Sequence, residues 1–164
     1  MLKRTVLVAL FALPVGAIAQ DKIAYFNSQE VMIALPDYKQ VLDSLQKEQD
    51  AIKSELVILQ EEYEKKYKAF MNEGDKLVES IKIRRMQEIK DIEERAGLFQ
   101  EQSQQRLSEM QANLFRPIQE KVRAALQDVG AENNFTYILE SAPLLYVNPL
   151  ATDATPLVKK KLGI

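Results

Sequence analysis

From Tyr38 onward, apolar residues recur at alternating steps of three and four, and most positions between them are charged or carry amides. The ladder runs Tyr38, Leu42, Leu45, Ile52, Leu56, Leu59, Tyr63 and Phe70, with Gln49 the one interruption. A heptad seam of this kind predicts a long helix packed on a partner helix, not a compact globule. The rhythm weakens across Asn72-Glu73-Gly74-Asp75. It resumes at Val78, Ile81 and Met86 and continues through Ile89, Ile92, Ala96 and Phe99, then from Leu107 to Ala125. Two long helices with one weak point predict an antiparallel hairpin over residues 37–129, with its tip near 72–80. One continuous helix is the alternative, because Gly74 costs only about 1 kcal/mol against alanine. The hairpin is favoured, since a lone helix would leave its seam without a partner. Pro117 has no N–H for the carbonyl of Asn113 and predicts a bend in the return arm.

The flanks follow a different pattern. Lys22 to Phe26 reads as a strand, and Asn27 with Glu30 three residues on reads as a capping box. A short helix through Val31, Met32 and Leu35 follows, and Pro36 suits the first turn of the next helix. The long helix is expected to stop between Gly130 and Asn134, since glycine and asparagine both tolerate the left-handed C-terminal position. Thr136–Glu140 and Leu144–Val147 read as strands, and Thr155-Pro156 opens a last helix that Gly163 closes. The predicted class is therefore mainly α with a small β-sheet (α+β). A long antiparallel helical hairpin projects from a small strand-containing base, residues 20–36 and 130–164. Three short strands bury little surface, so the base is expected to oligomerise, through Ile23, Tyr25, Ile138 and Tyr146. The pattern does not fix a copy number.

The first residues add a location. Lys3 and Arg4 precede an apolar core from Thr5 to Gly16, and Ala17-Ile18-Ala19 is a small-x-small cleavage site. That is an export signal, expected to be cut after Ala19. Residues 20–164 then form a single domain, expected in the periplasm. No cysteine follows the cleavage site to carry a lipid anchor. With Lys3 and Arg4 gone, 20 basic residues face 24 acidic ones. A strongly basic nucleic-acid binder is not indicated.

Catalytic chemistry finds little support. The chain has no histidine and no cysteine, which removes the commonest general base, thiol nucleophile and metal ligands. Ser44-Leu45-Gln46-Lys47 matches S-x-x-K, but the companion signatures of acyl-serine enzymes are absent and Leu45 sits on the seam. Asn134-Phe135-Thr136 matches a glycosylation sequon and reads better as a helix end followed by a strand. No phosphate-binding loop is present. The expectation is a non-enzyme with no cofactor and no metal.

The tip differs from the rest. From Lys65 to Lys90 there are eight basic residues and four acidic ones. An acidic partner or a membrane surface would suit that balance, as would an ordinary solvated helix face. Tyr67, Phe70, Met71, Val78, Ile81, Ile83 and Met86 crowd the same zone. Ile81 and Ile83 point to different helix faces, so not all seven can be seam residues. Val57 and Ile58 raise the same surplus lower down. Exposed apolar excess marks an interaction surface. Lys159-Lys160-Lys161 ends the last helix and complements its dipole, with an anionic partner the other reading.

In this order, the pieces resemble the Skp (OmpH) family of periplasmic chaperones. The residues that carry the likeness are Asp21-Lys22-Ile23-Ala24-Tyr25-Phe26-Asn27, Val31 before Pro36, the charged hairpin, Phe135-Thr136-Tyr137-Ile138-Leu139, and Leu144-Leu145-Tyr146-Val147-Asn148-Pro149. The resemblance implies a homotrimer whose hairpins surround a cavity. That cavity would hold unfolded outer-membrane β-barrel proteins without ATP. It leaves lipopolysaccharide or anionic-lipid contact open, because the best-known members are basic whereas this chain has a pI near 5.4. The rival reading is a structural coiled-coil spacer or tether of the envelope, which would need neither the sheet nor the apolar tip.

Overall fold

A computed structural model describes residues 21–73 and 76–164. The expected export signal, and Gly74 and Asp75 of the expected tip, lie outside the described residues. The element order is β1 (Ile23–Phe26), α1 (Ser28–Ala34), α2 (Pro36–Glu73), α3 (Glu79–Glu132), β2 (Tyr137–Glu140), β3 (Thr152–Asp153) and α4 (Thr155–Leu162).

Helices α2 and α3 pack along their lengths as the two arms of the hairpin. Helix α1 ends because Leu35 must be extended before Pro36, and it is, at ψ 126°. Pro36 then opens α2. The break between α2 and α3 falls at the weak point in the seam. Helix α3 runs on through Pro117. It stops where Asn134 takes a left-handed φ of 54° and Phe135 N–H returns to the carbonyl of Gly130 at 2.9 Å.

The arms are held in register by cross-arm pairs that step antiparallel. Lys66 meets Glu88 at 2.8 Å, Arg95 meets Glu62 at 3.1 Å, Arg106 meets Glu48 at 2.7 Å and Lys121 meets Asp37 at 3.2 Å. Near the base Tyr38 and Phe115 add a tilted ring contact at 5.6 Å between centroids. Val41, not Leu42, is the buried residue at its level; Leu42 is 46% exposed. The ladder alone could not settle this, because adjacent apolar residues compete for one seam position and the helix entry angle set at Leu35-Pro36 decides between them.

The base is a parallel sheet in the order β2-β1-β3. Its inner face carries Ala24, Phe26 and Ile138 onto Val122, Ala125 and Val129 of α3 and Val158 of α4, with Val31 of α1 and the following Leu35 closing the side. Each fully buried aliphatic side chain here contributes roughly 1.5–3 kcal/mol. The apolar cluster extends from this core up the arms to Leu45, Leu107 and Met110. Beyond, the seam becomes thinner, and Ser103 is buried with no hydrogen-bond partner for its hydroxyl.

Three local expectations change. Leu144–Val147 is not a strand; the third strand is Thr152–Asp153, on the far side of β1. The Glu140 carboxylate accepts N–H groups of Ser141 and Ala142 at 3.1 and 3.5 Å, and Leu144 N–H bonds the Ser141 carbonyl at 3.0 Å. That turns the chain away before Leu144 can return along β2. Thr155 is not the cap of α4, because Asp153 Oδ1 accepts the Thr155 N–H at 2.8 Å. The capping box is one-sided: Asn27 Oδ1 accepts from Glu30 N–H at 3.0 Å, while the Glu30 carboxylate bonds Lys159 at 2.6 Å.

Candidate functional site

Two apolar surfaces are left uncovered, one at the base and one toward the tip. At the base, strand alternation sends Ile23, Tyr25, Tyr137 and Leu139 to the outer face of the sheet. Ile23, Tyr137 and Leu139 are exposed. The loop after β2 adds Leu145, Tyr146 and Leu150, of which Leu145 is fully exposed at 105% of its reference area. Of the interface residues expected from sequence, Ile23 and Tyr25 lie on this face, and Tyr146 is exposed in the loop that follows β2. Ile138 lies on the other face, in contact with the chain's own core. Tyr137, Leu139, Leu145 and Leu150 are uncovered as well and were not among the expected residues. Burial and the neighbouring Asp153 carboxylate raise the Tyr25 phenol above its ordinary pKa.

Toward the tip, the seven expected residues divide. Phe70 and Ile81 are half-buried between the arms. Tyr67, Met71, Val78, Ile83 and Met86 are exposed, Met71 at 63%. Met86 therefore leaves the seam to which its spacing assigned it, and Val78 serves as the N-cap of α3. Val57 and Ile58 are exposed too, as is Leu98, which the sequence reading passed over.

Four of the eight basic residues at the tip are paired with neighbours. Lys66 and Arg84 pair with Glu88, Lys68 with Glu64, and Lys90 with Glu94. The Lys66 ammonium, by hydrogen bonding and charge, holds the Glu88 carboxyl below its ordinary value. Gln60 and Lys68 do the same for Glu64. At the other end Lys159 pairs with Glu30, and Lys161 with Asp128 and Glu132. Those two acids raise the Lys161 ammonium above its ordinary pKa. The lysine run thus fastens α4 to α1 and α3.

The sides of the hairpin are unlike. Asp37, Glu48, Glu62 and Lys66 recur close to whole turns of α2, so the four cross-arm ion pairs fall along one side. Ile58, four residues before Glu62, and Leu98, three after Arg95, belong to that side. The other side carries Tyr63, Tyr67 and Met71 at steps of four. The Tyr63 and Tyr67 rings stack with centroids 5.8 Å apart at 11°. The Glu93 carboxylate on the facing arm, together with burial, raises the Tyr63 phenol above its ordinary pKa. Met86 lies two turns tipward of Glu93 on α3. A groove of about 440 Å³ opens between the arms here, lined by apolar Leu56, Leu59, Ile92 and Ala96, by Tyr63, and by the polar Gln60, Glu93 and Gln100.

The S-x-x-K serine makes no site: Ser44 Oγ donates to the carbonyl of Gln40 at 2.8 Å along its own helix. Among the described residues, no cluster of acidic side chains converges as a metal site would, and no helix is long and apolar enough to cross a membrane.

A hairpin standing on a small parallel sheet is a distinctive plan, and the OmpH family profile, described as outer membrane protein (OmpH-like), matches residues 22–162. The chain belongs to the OmpH family. The crystal structure of an OmpH-like protein from Caulobacter crescentus CB15, itself proposed as an outer membrane chaperone, has the same fold. It aligns with a TM-score of 0.71 over 93% of this chain and 90% of that one, at 15% identity. No curated protein matches the chain by sequence. The OmpH plan accounts for the sheet at the foot of the arms, which the spacer reading did not require.

Proposed function

We propose that this OmpH-family protein is a periplasmic chaperone that holds unfolded outer-membrane β-barrel proteins without ATP. The observation that carries the reading is the row of large apolar side chains left exposed along the distal arms, Tyr67, Met71, Val78, Ile83 and Met86. An unfolded β-barrel protein offers apolar side chains with no fixed shape. Many weak, non-directional contacts can hold it without trapping it. Keeping its unpaired strands apart prevents edge-to-edge aggregation. The chaperone description of the Caulobacter protein that shares the fold supports the same reading.

Three copies would associate through the outer face of the sheet, burying Ile23, Tyr25, Tyr137, Leu139 and Tyr146 and leaving the arms to enclose a cavity. A single three-stranded sheet with one bare apolar face is a poor stand-alone unit. The export signal read from residues 1–19 delivers the chain to the compartment where such clients pass. The basic residues at the tip would add a diffuse attraction for acidic clients, which salt screens.

The test is aggregation. A urea-unfolded outer-membrane β-barrel protein is diluted into buffer with the purified mature chain and without nucleotide, and light scattering is followed. Suppression at near-stoichiometric chaperone is expected. Unchanged aggregation in the presence of a folded, assembled protein would overturn the proposal.

A further inference from the structure

The two sides of the hairpin differ in a way that assigns them different partners. One is laced by four cross-arm ion pairs, from Lys121–Asp37 near the base to Lys66–Glu88 near the tip. Among the described residues, the opposite side has no cross-arm ion pair. It has instead an open groove with an apolar floor of Leu56, Leu59, Ile92 and Ala96. The stacked Tyr63 and Tyr67 rings extend that floor toward the tip, and exposed Met71 and Met86 continue it.

We infer that this groove side is the client-contacting side of each arm, and that its occupant is an extended polypeptide segment with aromatic or aliphatic side chains at alternate positions. The inference rests on the holdase reading and adds to it a specific surface. Three features select that occupant. The floor of the groove is apolar, so side chains projecting from one face of an extended chain can lie on it. The polar lining can pair with a peptide backbone: the Gln60 and Gln100 amides donate and accept, and the Glu93 carboxylate accepts N–H groups. Gln60 spends one donor on Glu64 at 3.2 Å and keeps its carbonyl oxygen as an acceptor. Finally, an incoming apolar segment displaces no cross-arm ion pair there, whereas on the other side it would strip water from four. Tyrosine ledges and methionines are adaptable contacts for aromatic and aliphatic groups of varied shape.

The ion-paired side, with Ile58 and Leu98 as isolated apolar residues, then faces bulk water in the working assembly. Isolated surface apolar residues are ordinary and require no partner.

Photo-crosslinking separates the two sides. A benzophenone side chain is placed singly at Gln60, Gln100, Ile58 or Leu98 in the assembled chain, and an unfolded outer-membrane β-barrel protein is diluted in from urea. Crosslinks at positions 60 and 100 are expected to exceed those at 58 and 98 by about tenfold. In parallel, Tyr67→Ser with Met86→Ser should weaken client retention several-fold, and Ile58→Ser with Leu98→Ser should leave it unchanged. Equal or heavier crosslinking at 58 and 98, with aggregation still suppressed, overturns the groove assignment and leaves the holdase reading standing. Absence of both crosslinking and suppression defeats both.

Discussion

The backbone N–H of Asn27 donates to Thr155 Oγ1 at 3.1 Å, joining the first helix of the chain to the last. Thr155 is only 2% exposed, so its hydroxyl is the partner of an N–H that water reaches poorly. The bond ties together segments separated by both arms, and with Lys159–Glu30 at 2.6 Å it fixes α4 beside α1.

Thr155→Val should therefore leave the Asn27 N–H unsatisfied at nearly constant volume. A loss of about 1–3 kcal/mol is expected, read as a lower urea midpoint with unchanged slope. Thr155→Ser keeps the oxygen and should recover most of that loss. Equal loss in both variants would mean that packing of the methyl group, not the hydrogen bond, matters.

Ser103 presents the opposite case. Its hydroxyl is buried between the arms without a partner, at a level where the seam is thin. Ser103→Ala removes a desolvated polar atom at little cost in volume. Stability should rise by about 1 kcal/mol, visible as a higher melting temperature. A marked drop would reveal a partner that Ser103 gains in the assembly.

Neighbouring residues on β2 should respond differently to charge. Leu139 lies on the uncovered face and Ile138 on the covered one. Leu139→Asp is expected to reduce the particle mass seen by light scattering while far-ultraviolet circular dichroism stays helical. Ile138→Asp puts a charge against Val122 and Val129 and should unfold the base itself. Loss of mass with Ile138→Asp alone, and an intact oligomer with Leu139→Asp, would move the interface elsewhere.

Acid should loosen the distal arms first. Lys66 lowers the Glu88 pKa from its ordinary 4.5. A carboxylate with a lowered folded-state pKa favours the folded arms above that ordinary value and loses its contribution as pH falls through the lowered one. Protection of the tip amides, taken relative to their intrinsic exchange rate at each pH, should fall below about pH 4.5, before protection at the base does. Glu88→Gln should flatten that acid dependence and lower tip protection at neutral pH. Wild-type tip protection that does not change with pH would sink this account.

The sequence by itself determined the architecture. Seam periodicity is a property of one helix and its solvent, so Tyr38 to Phe70 and Ile89 to Ala125 declared two arms without knowledge of their partner. Proline and asparagine declared boundaries for the same local reason: Pro36 opens α2, and Asn134 supplies the left-handed residue that stops α3. The surplus of apolar residues near the tip was also legible, because one seam cannot bury Ile81 and Ile83 together. Tertiary structure alone decided the rest. Whether Val41 or Leu42 faces the other arm depends on the angle at which α2 leaves the base. Whether Ile138 or Leu139 meets the core depends on the register of β2 against β1, which pairs Ala24 with Ile138. Leu144–Val147 has the composition of a strand, but a strand needs a neighbour, and within this chain Glu140 turns it away while Thr152–Asp153 takes the remaining edge of β1. The unlike sides of the hairpin were hidden for a related reason: each charge and each tyrosine is unremarkable on its own helix, and only the antiparallel register gathers the ion pairs on one side and leaves the groove on the other.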